Sequence, residues 1–363
     1  MSDLRTEQAA RLVLIIAVVS TVTVLSFSFV MSDDGPGIET RGDLTVSGSM
    51  ASDGIVIDEY GGVGTLTYTR GGDIEWRLKD LQGTAYVKVD GGYQPRGFDD
   101  VREGSTLTLS EPGRYEVRMY IDGNLARTGT VTLDGTVRNT YEWTQTASDG
   151  RDHTYSVSLE YSFSDYLSYA DSDAVRHQDP GLEDSRFAVV DPTVEAMESV
   201  LRSEYERVRQ PVQYDTQAYA DYLLSFVQSC IEYPDLIGEG THSDTLVYGE
   251  SEYWAYPLET IHFGMGDCED TSFLSAALFA SAGYGAAVLA LEGHMVSAVA
   301  LDMFTPPFDD PDLRLTVKHH IATGMNLYFC ETTDVHWPVG YLDQETHAEV
   351  VVADRVSPVA VSS

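Results

Sequence analysis

The chain has 363 residues, which is enough for two domains and a sizeable core. It carries 58 acidic and 22 basic residues, a formal net charge of -36, and this excess of negative charge argues against a surface that binds nucleic-acid phosphates. The hydrophobic fraction of 43% is typical of a packed globular protein, so the acidity does not indicate disorder.

The first predicted element is a membrane anchor at residues 12–31. These twenty residues carry no charge, and as a helix they would span about 30 Å, the thickness of the hydrocarbon core of a bilayer. Arginines before the run and aspartates after it place residues 1–11 in the cytoplasm and everything from the linker 32–42 onward outside. A cleaved signal peptide is the alternative, although the run is long and no small-residue cleavage site follows it.

Residues 43–138 are predicted to form an immunoglobulin-like β-sandwich. Short runs with alternating apolar and polar residues, such as 84–90, are separated by Gly-rich turns, which is typical of several strands at near-regular spacing. The segment 109–115 resembles the tyrosine corner of immunoglobulin-like domains, with Tyr115 just after a Pro-Gly turn. Because no catalytic motif occurs in this region, we expect it to be a spacer or adhesion module.

Residues 139–348 are predicted to form an α+β domain, followed by a C-terminal tail at 349–363. Helical periodicity begins at Pro192, recurs over 216–231, and begins again near Cys268. Three strands are expected after these helices, at 286–291, 295–301 and 327–330. Helices first and antiparallel strands afterwards is the order typical of the α+β class.

The residues that could perform chemistry lie in this second domain. Cys268 begins the third helix, where unpaired N–H groups and the helix dipole favour a thiolate. His294 follows 26 residues later at the start of a strand, and Glu331 a further 37 residues on at the end of another. A thiol, an imidazole and a carboxylate that orients the imidazole are the groups that acyl transfer through a thiolate requires.

Four motifs in this domain resemble those of the transglutaminase-like superfamily, in the same order and spacing: YWAYPLET at 253–260, GDCED at 266–270, GHM at 293–295 and CETT at 330–333. The resemblance is closest to the bacterial and archaeal cysteine-peptidase branch, which has a papain-like fold, and it covers roughly residues 139–345. It implies Cys268 as the nucleophile, His294 as the general base and acid, and Glu331 as the residue that orients the imidazole.

The third member of this triad departs from the family pattern. Many relatives have Asp in the place of Glu331, and the extra methylene requires the strand to lie farther back from the imidazole. Asp302 and Asp334 are alternative orienting residues. His319 or His320 could also supply the base, although both lie in a polar, loop-like stretch.

The acids around Cys268 create an electrostatic problem. Asp267, Glu269 and Asp270 would raise the pKa of the thiol, so an offsetting positive charge is expected. An imidazolium at His294 is one candidate and a bound cation is the other. Some cysteine peptidases similar to this chain hold calcium through the acids beside the nucleophile, which implies Asp267 and Glu269 as calcium ligands. The alternative is that these carboxylates cap the helix N-terminus.

An oxyanion intermediate needs hydrogen-bond donors beside the nucleophile. The backbone N–H of Cys268 is the expected first donor, and the side chain of Gln228 or the indole of Trp254 is the expected second. Gln228 lies beside the apolar stripe of the second helix and Trp254 in the loop before the nucleophile, so packing or a surface position is the alternative for each.

Together these features predict a single-pass protein of the cell membrane with an extracellular cysteine-peptidase domain that cleaves peptide or isopeptide bonds of proteins at the cell surface. Transamidation between a glutamine and an amine is an alternative that uses the same catalytic groups. A catalytically inactive binding scaffold is the alternative from another class. No cofactor other than calcium is expected. The acidic composition also resembles that of proteins from salt-loving archaea, so we expect the fold to be lost on dilution into low salt.

Overall fold

The computed structural model describes the backbone of nine strands between residues 43 and 133. It describes side chains in the ranges 112–114, 135–147, 150–209, 216–234, 243–306, 312–353 and 355–360. The predicted membrane anchor at 12–31, the N-terminal residues 1–11 and the linker 32–42 lie outside the described residues. In the part of the chain that is described, no helix has both the length and the apolar character that a membrane span requires.

Two compact units share the described residues. The first holds the strands before residue 137 together with 161–167, and the second holds 138–160 and the described residues from 168 onward. The strands of the first unit are β1 (Asp43–Ser47), β2 (Val56–Asp58), β3 (Thr65–Tyr68), β4 (Gly72–Lys79), β5 (Ala85–Gly91), β6 (Asp99–Arg102), β7 (Thr106–Leu109), β8 (Gly113–Ile121) and β9 (Asn124–Leu133).

The described strands of the first unit form a six-stranded sheet in the order β2-β3-β9-β8-β5-β6 and a three-stranded sheet in the order β1-β4-β7. All of these pairs are antiparallel except β3 with β9, which are parallel. The backbone of Tyr115 lies in β8 opposite Val131. Its side chain is outside the described side chains, so the tyrosine corner stays a prediction.

Seven helices occur in the described residues: α1 (Phe163–Ala170), α2 (Pro192–Val208), α3 (Thr216–Cys230), α4 (Ser243–Val247), α5 (Pro257–Phe263), α6 (Cys268–Ser281) and α7 (Gln344–Val352). The strands that accompany them are β10 (Thr136–Thr146), β11 (Asp152–Ser162), β12 (Ala286–Ala290), β13 (Met295–Ala300), β14 (Leu313–Leu315), β15 (Val317–His320), β16 (Met325–Cys330), β17 (Tyr341–Asp343) and β18 (Ser357–Pro358). The predicted α+β class is therefore confirmed.

An antiparallel five-stranded sheet in the order β15-β16-β13-β12-β18 is the frame of the second unit. Ser297 in β13 lies opposite Cys330 in β16. Because these strands run in opposite directions, the start of β13 and the end of β16 lie side by side, and so do the residues next to them in the chain. This register brings His294 and Glu331 together despite their separation in the chain.

Helix α6 is the central helix of the second unit. It packs against β12 and β13 on one side and against α2, α3 and α5 on the others. Almost all of its residues are buried, and Phe273, Leu274 and Phe279 are fully so. Such a helix is stable only inside a core, where each large side chain contributes about 1.5–3 kcal/mol by burial. The helix ends at Ser281, and Gly283 follows with a φ of 91°, a conformation that favours glycine.

Helix α3 is held against β10 and β11 by an aromatic cluster. The ring of Trp143 lies 5.5 Å from that of Tyr222 and 5.3 Å from that of Phe226. The indole N–H of Trp143 donates to Ser225 Oγ at 3.1 Å, so the polar atom of this buried ring is also satisfied. These contacts place the C-terminal half of α3 and its residue Gln228 in a defined position.

Candidate functional site

Cys268 is the first residue of α6, and its side chain is only 7% exposed. The backbone of Met295, the first residue of β13, lies close enough to lower the pKa of the Cys268 thiol. The thiol donates to Glu269 Oε2 at 2.8 Å. Burial, followed by the charge and hydrogen bond of Glu269, raises the pKa of the Cys268 thiol. In this arrangement the thiol is protonated.

His294 lies directly before Met295, at the same end of β13 as the sulfur. Its Nε2 is 3.0 Å from Glu331 Oε2, which leaves Nδ1 as the ring nitrogen that is not engaged by this carboxylate. Burial lowers the pKa of His294, but the hydrogen bond and charge of Glu331 outweigh it, so the pKa is raised overall. Burial likewise acts to raise the pKa of Glu331, and the contacts with His294 and Thr333 lower it overall.

The carboxylate of Glu331 has donors for both of its oxygens. Oε1 accepts the backbone N–H groups of Thr332 and Thr333, each at 2.9 Å, and the Thr333 hydroxyl at 2.7 Å. The Thr332 hydroxyl is 2.8 Å from that of Thr271, so the loop that carries Glu331 is tied to the nucleophile helix. An ionised carboxylate that is buried can persist only with partners of this kind.

The alternative triad residues have other partners. The exposed carboxylate of Asp334 accepts the backbone N–H of Val335 at 2.8 Å, and Asp302 is exposed. The rings of His319 and His320 contact Asn326 and Thr323 respectively. Of the carboxylates predicted as orienting residues, Glu331 is the one whose contact with His294 the structure describes.

Both side chains predicted to bind the oxyanion are committed elsewhere. The amide nitrogen of Gln228 donates to the main-chain oxygens of Glu331 at 2.8 Å and Trp337 at 2.9 Å. The indole N–H of Trp254 donates to Glu252 at 2.8 Å, and the ring is buried. Gln228 therefore fixes the loop between residues 331 and 337, a role that the sequence did not indicate.

The predicted calcium ligands Asp267 and Glu269 interact with each other and differ in their other contacts. Glu269 accepts the hydrogen bond of the thiol, and burial with the charge of Asp267 raises its pKa to about 8. The carboxylate of Asp267 joins those of Asp270 and Asp244, with one oxygen of each within 4.8 Å of the others. The Asp267 side chain makes no capping hydrogen bond at the helix N-terminus.

This group of three aspartates fits a hard cation. All three are buried, and Asp270 is completely so. Among the described residues, Asp244 Oδ1 and Asp270 Oδ2 have no hydrogen-bond partner. Burial and then the charge of Asp267 raise the pKa of Asp244 to about 7, and the same causes raise the pKa of Asp270 well above its ordinary value. Buried carboxylates with free oxygens are the ligands that calcium prefers.

Gly266 is required next to this group for a steric reason. A Cβ at position 266 would lie 2.7 Å from the Cβ of Asp270. Any larger residue at position 266 would therefore displace Asp270.

Tyr233 and Asp244 are neighbours of the site that the sequence did not indicate. The segment before Tyr233 pairs with the segment before Cys268, since the N–H of Glu232 binds Gly264 O at 2.9 Å. The Tyr233 side chain is 39% exposed, and burial followed by the charge of Cys268 raises its pKa. Neither residue belongs to a motif or an apolar stripe, so only the fold reveals its proximity.

The chain matches no protein-family model, no curated protein and no solved structure. A functional assignment therefore depends on the chemistry of the residues around Cys268. Those residues supply a thiol at a helix N-terminus, an imidazole paired with a carboxylate, and a group of three buried carboxylates close to one another.

Proposed function

We propose that the chain is a thiol-dependent acyl-transfer enzyme, specifically a cysteine peptidase that hydrolyses peptide or isopeptide bonds of proteins. The observation that carries this proposal is the 3.0 Å contact between His294 Nε2 and Glu331 Oε2. His294 directly precedes Met295, whose backbone acts on the pKa of the Cys268 thiol. An imidazole that is oriented through one nitrogen offers the other to a thiol, which is the arrangement that thiolate chemistry needs.

The reaction begins when the thiol of Cys268 gives its proton to His294 Nδ1. The thiolate attacks the carbonyl carbon, the S–C bond forms, and the C–N bond breaks as the imidazolium protonates the leaving amine. Water then attacks the thioester and passes a proton to His294, the S–C bond breaks, and the thiol is regenerated. Glu331 holds the ring and stabilises the imidazolium in both halves of the cycle.

Glu269 defines a resting state in this mechanism. Its hydrogen bond to the thiol competes with proton transfer to His294, so the bond must break before the nucleophile forms. The same contact is the observation that favours the rival function, a catalytically inactive scaffold in which the thiol stays protonated. Transamidation shares every group of the proposed mechanism and differs only in the acceptor of the acyl group.

The proposal includes a calcium ion with Asp244, Asp267 and Asp270 as its ligands. When bound, the ion supplies a fixed positive charge close to the N-terminus of α6. The three carboxylates would hold it through oxygens that include Asp244 Oδ1 and Asp270 Oδ2, which have no donor of their own. Asp270 Oδ1 meanwhile accepts the N–H of Ala255 at 2.8 Å, which keeps its second oxygen directed to the group.

The proposal includes a transglutaminase-like, papain-type fold for residues 139–348 and an immunoglobulin-like fold for 43–138. A helix that begins with the nucleophile and packs on an antiparallel sheet supports the first of these. The membrane anchor, the extracellular location and protein substrates at the cell surface remain proposals from the sequence. The pronounced acidity supports a chain that works in high salt.

A thiol-reactive probe tests the enzyme against the scaffold. In the full chain we expect selective labelling of Cys268 at neutral pH. Burial raises the pKa of the thiols of Cys230, Cys268 and Cys330 alike, and Cys268 is the one to which the proposed mechanism gives a base, His294. His294→Ala should abolish this labelling, and the matched control His319→Ala should retain it. Equal labelling of wild type and His294→Ala would favour the scaffold.

Incubation with a labelled amine and candidate proteins separates hydrolysis from transamidation, since only transamidation incorporates the amine.

A further inference from the structure

A cavity of about 420 Å³ opens in the second unit, away from the three aspartates. Its walls are the end of β10 with the turn after it, the C-terminal half of α3, and residues 336–338. The aromatic cluster around Trp143 holds two of these walls together, so the cavity is a preformed feature of the fold.

The lining of this cavity suits a cation on an apolar stem. Asp221 contributes a half-buried carboxylate, one oxygen of which accepts the N–H of Val339 at 2.8 Å. Trp337 and Pro338 contribute apolar surface, and Gln145 and Ser229 add polar groups. The described lining residues include no lysine or arginine. An ammonium or guanidinium group beside a carboxylate and an indole is stabilised by charge and by the aromatic face, while its methylenes cover the apolar wall.

One side chain, Gln228, separates the cavity from Glu331, the orienting carboxylate. Gln228 forms part of the wall of the cavity, and its amide donates to the main-chain oxygens of both Glu331 and Trp337. Gln228 therefore holds together the two ends of the loop from Glu331 to Trp337. A group that occupies the cavity lies against the same loop that carries the orienting carboxylate.

We propose that this cavity is a specificity subsite that binds a lysine or arginine side chain of the polypeptide substrate. Its connection with catalysis rests on the proposed function, since only an acyl-transfer enzyme has a scissile bond to position. The net charge of the chain attracts basic polypeptides in general, whereas the cavity discriminates among them at a single side chain.

Peptide binding tests the subsite separately from catalysis. The full chain with Cys268→Ala is titrated with a fluorescent peptide that has one lysine between glycines, and with versions that have norleucine or glutamate instead. The titrations use 1 M salt, where charges act over only about 3 Å, so that distant acids do not contribute. We expect the lysine peptide to bind about tenfold more tightly than the norleucine peptide.

Two substitutions in the cavity should remove this preference. Asp221→Asn keeps an oxygen for Val339 and should reduce the lysine preference to less than twofold. Ser229→Arg, at an exposed position of α3, should fill the cavity with a competing cation and have the same effect. Glu206→Gln changes the charge equally on the exposed surface of α2 and should retain the preference.

The outcomes separate the two proposals. Equal binding of the lysine and norleucine peptides, or a preference that survives both cavity substitutions, overturns the subsite. Hydrolysis by wild type without any preference for basic residues overturns the subsite and leaves the peptidase in place. A lysine preference that depends on Asp221, in a wild type that shows no thiol-dependent hydrolysis, supports the binding site and refutes the proposed function.

Discussion

Two groups of buried carboxylates flank Cys268, and the fold treats them in opposite ways. On one side, both oxygens of Glu331 have donors, and the net effect lowers its pKa. On the other side, Asp244 and Asp270 each have an oxygen without a donor, and their pKa values are raised. Burial is common to both groups, so the local donors decide whether a carboxylate is ionised.

This difference separates a part of the site that is complete from a part that is not. The pair of His294 and Glu331 can act as it stands, because each group satisfies the other. A bound cation would allow the three aspartates to be ionised together.

The largest effect is expected from Glu331→Gln. The amide keeps the size of the side chain but removes the charge that stabilises the imidazolium, so turnover should fall by about 10³- to 10⁴-fold. The measurement is kcat for a cleaved peptide. Asp334→Asn, three residues along the same loop, should leave kcat unchanged because its carboxylate only accepts the N–H of Val335. A loss of less than tenfold in Glu331→Gln would remove Glu331 from the mechanism.

The second prediction concerns calcium and stability. Calcium at one hundred times its Kd should stabilise the fold by about 2.7 kcal/mol, which corresponds to a rise of about 5–10 °C in the Tm of a domain of this size. Asp270→Asn should remove this rise while keeping the oxygen that binds Ala255. Asp302→Asn, at an exposed position, is the matched control. If Asp270→Asn shows the same calcium-dependent rise as wild type, the three aspartates are not the ligands.

Glu269→Gln should increase the reactivity of the thiol. The substitution removes the negative charge that raises the pKa of Cys268, and the new amide can donate to the thiolate. We expect alkylation of Cys268 at pH 8 in the presence of a chelator to be about tenfold faster than in wild type. The exposed Glu292→Gln serves as the charge-matched control. An unchanged alkylation rate in Glu269→Gln would show that the hydrogen bond does not restrain the thiol.

The smallest effect is a pH dependence of stability from the pair of His294 and Glu331. The folded pKa of Glu331 is lowered, so its contribution is present above its ordinary value of 4.5 and is lost as the pH falls through the folded pKa. The folded pKa of His294 is raised, so its contribution is present below its ordinary value of 6.5 and is lost as the pH rises through the folded pKa.

The difference in Tm between wild type and Glu331→Gln should therefore be greatest between about pH 4.5 and 6.5, and should correspond to about 1 kcal/mol. The effect is small because the neutral ring can still donate to the carboxylate above this window. A difference that grows steadily with pH above 7 would contradict the assigned directions of the two pKa shifts.

The elements that surround the site could be predicted from the sequence. The apolar run after Cys268 and the helix start at Pro192 correspond to α6 and α2, and the Asp191 side chain caps the latter through Val194 N at 2.8 Å. The predicted strands at 286–291 and 295–301 correspond to β12 and β13 within one residue. Periodicity and capping are local properties, so neighbouring residues contain the information.

The partners of the polar side chains could not be predicted in this way. Gln228, predicted as an oxyanion donor, donates to two main-chain oxygens of the loop after β16. Glu269, predicted as a calcium ligand, accepts the hydrogen bond of the thiol, while Asp244 joins Asp267 from a different helix. A hydrogen bond tolerates a variation of only a few tenths of an ångström in the distance between donor and acceptor, and no spacing in the chain specifies that distance.

The sequence by itself determined the order of the elements, the mixed α+β class and the set of chemically capable residues, because hydrophobic periodicity and residue type are properties of the chain alone. Only the tertiary structure decided which carboxylate contacts His294 and which carboxylates are left without donors. The reason is that strand register and the packing of α6 bring together groups that lie far apart in the chain, and at those contacts burial and donors set the charge of each group.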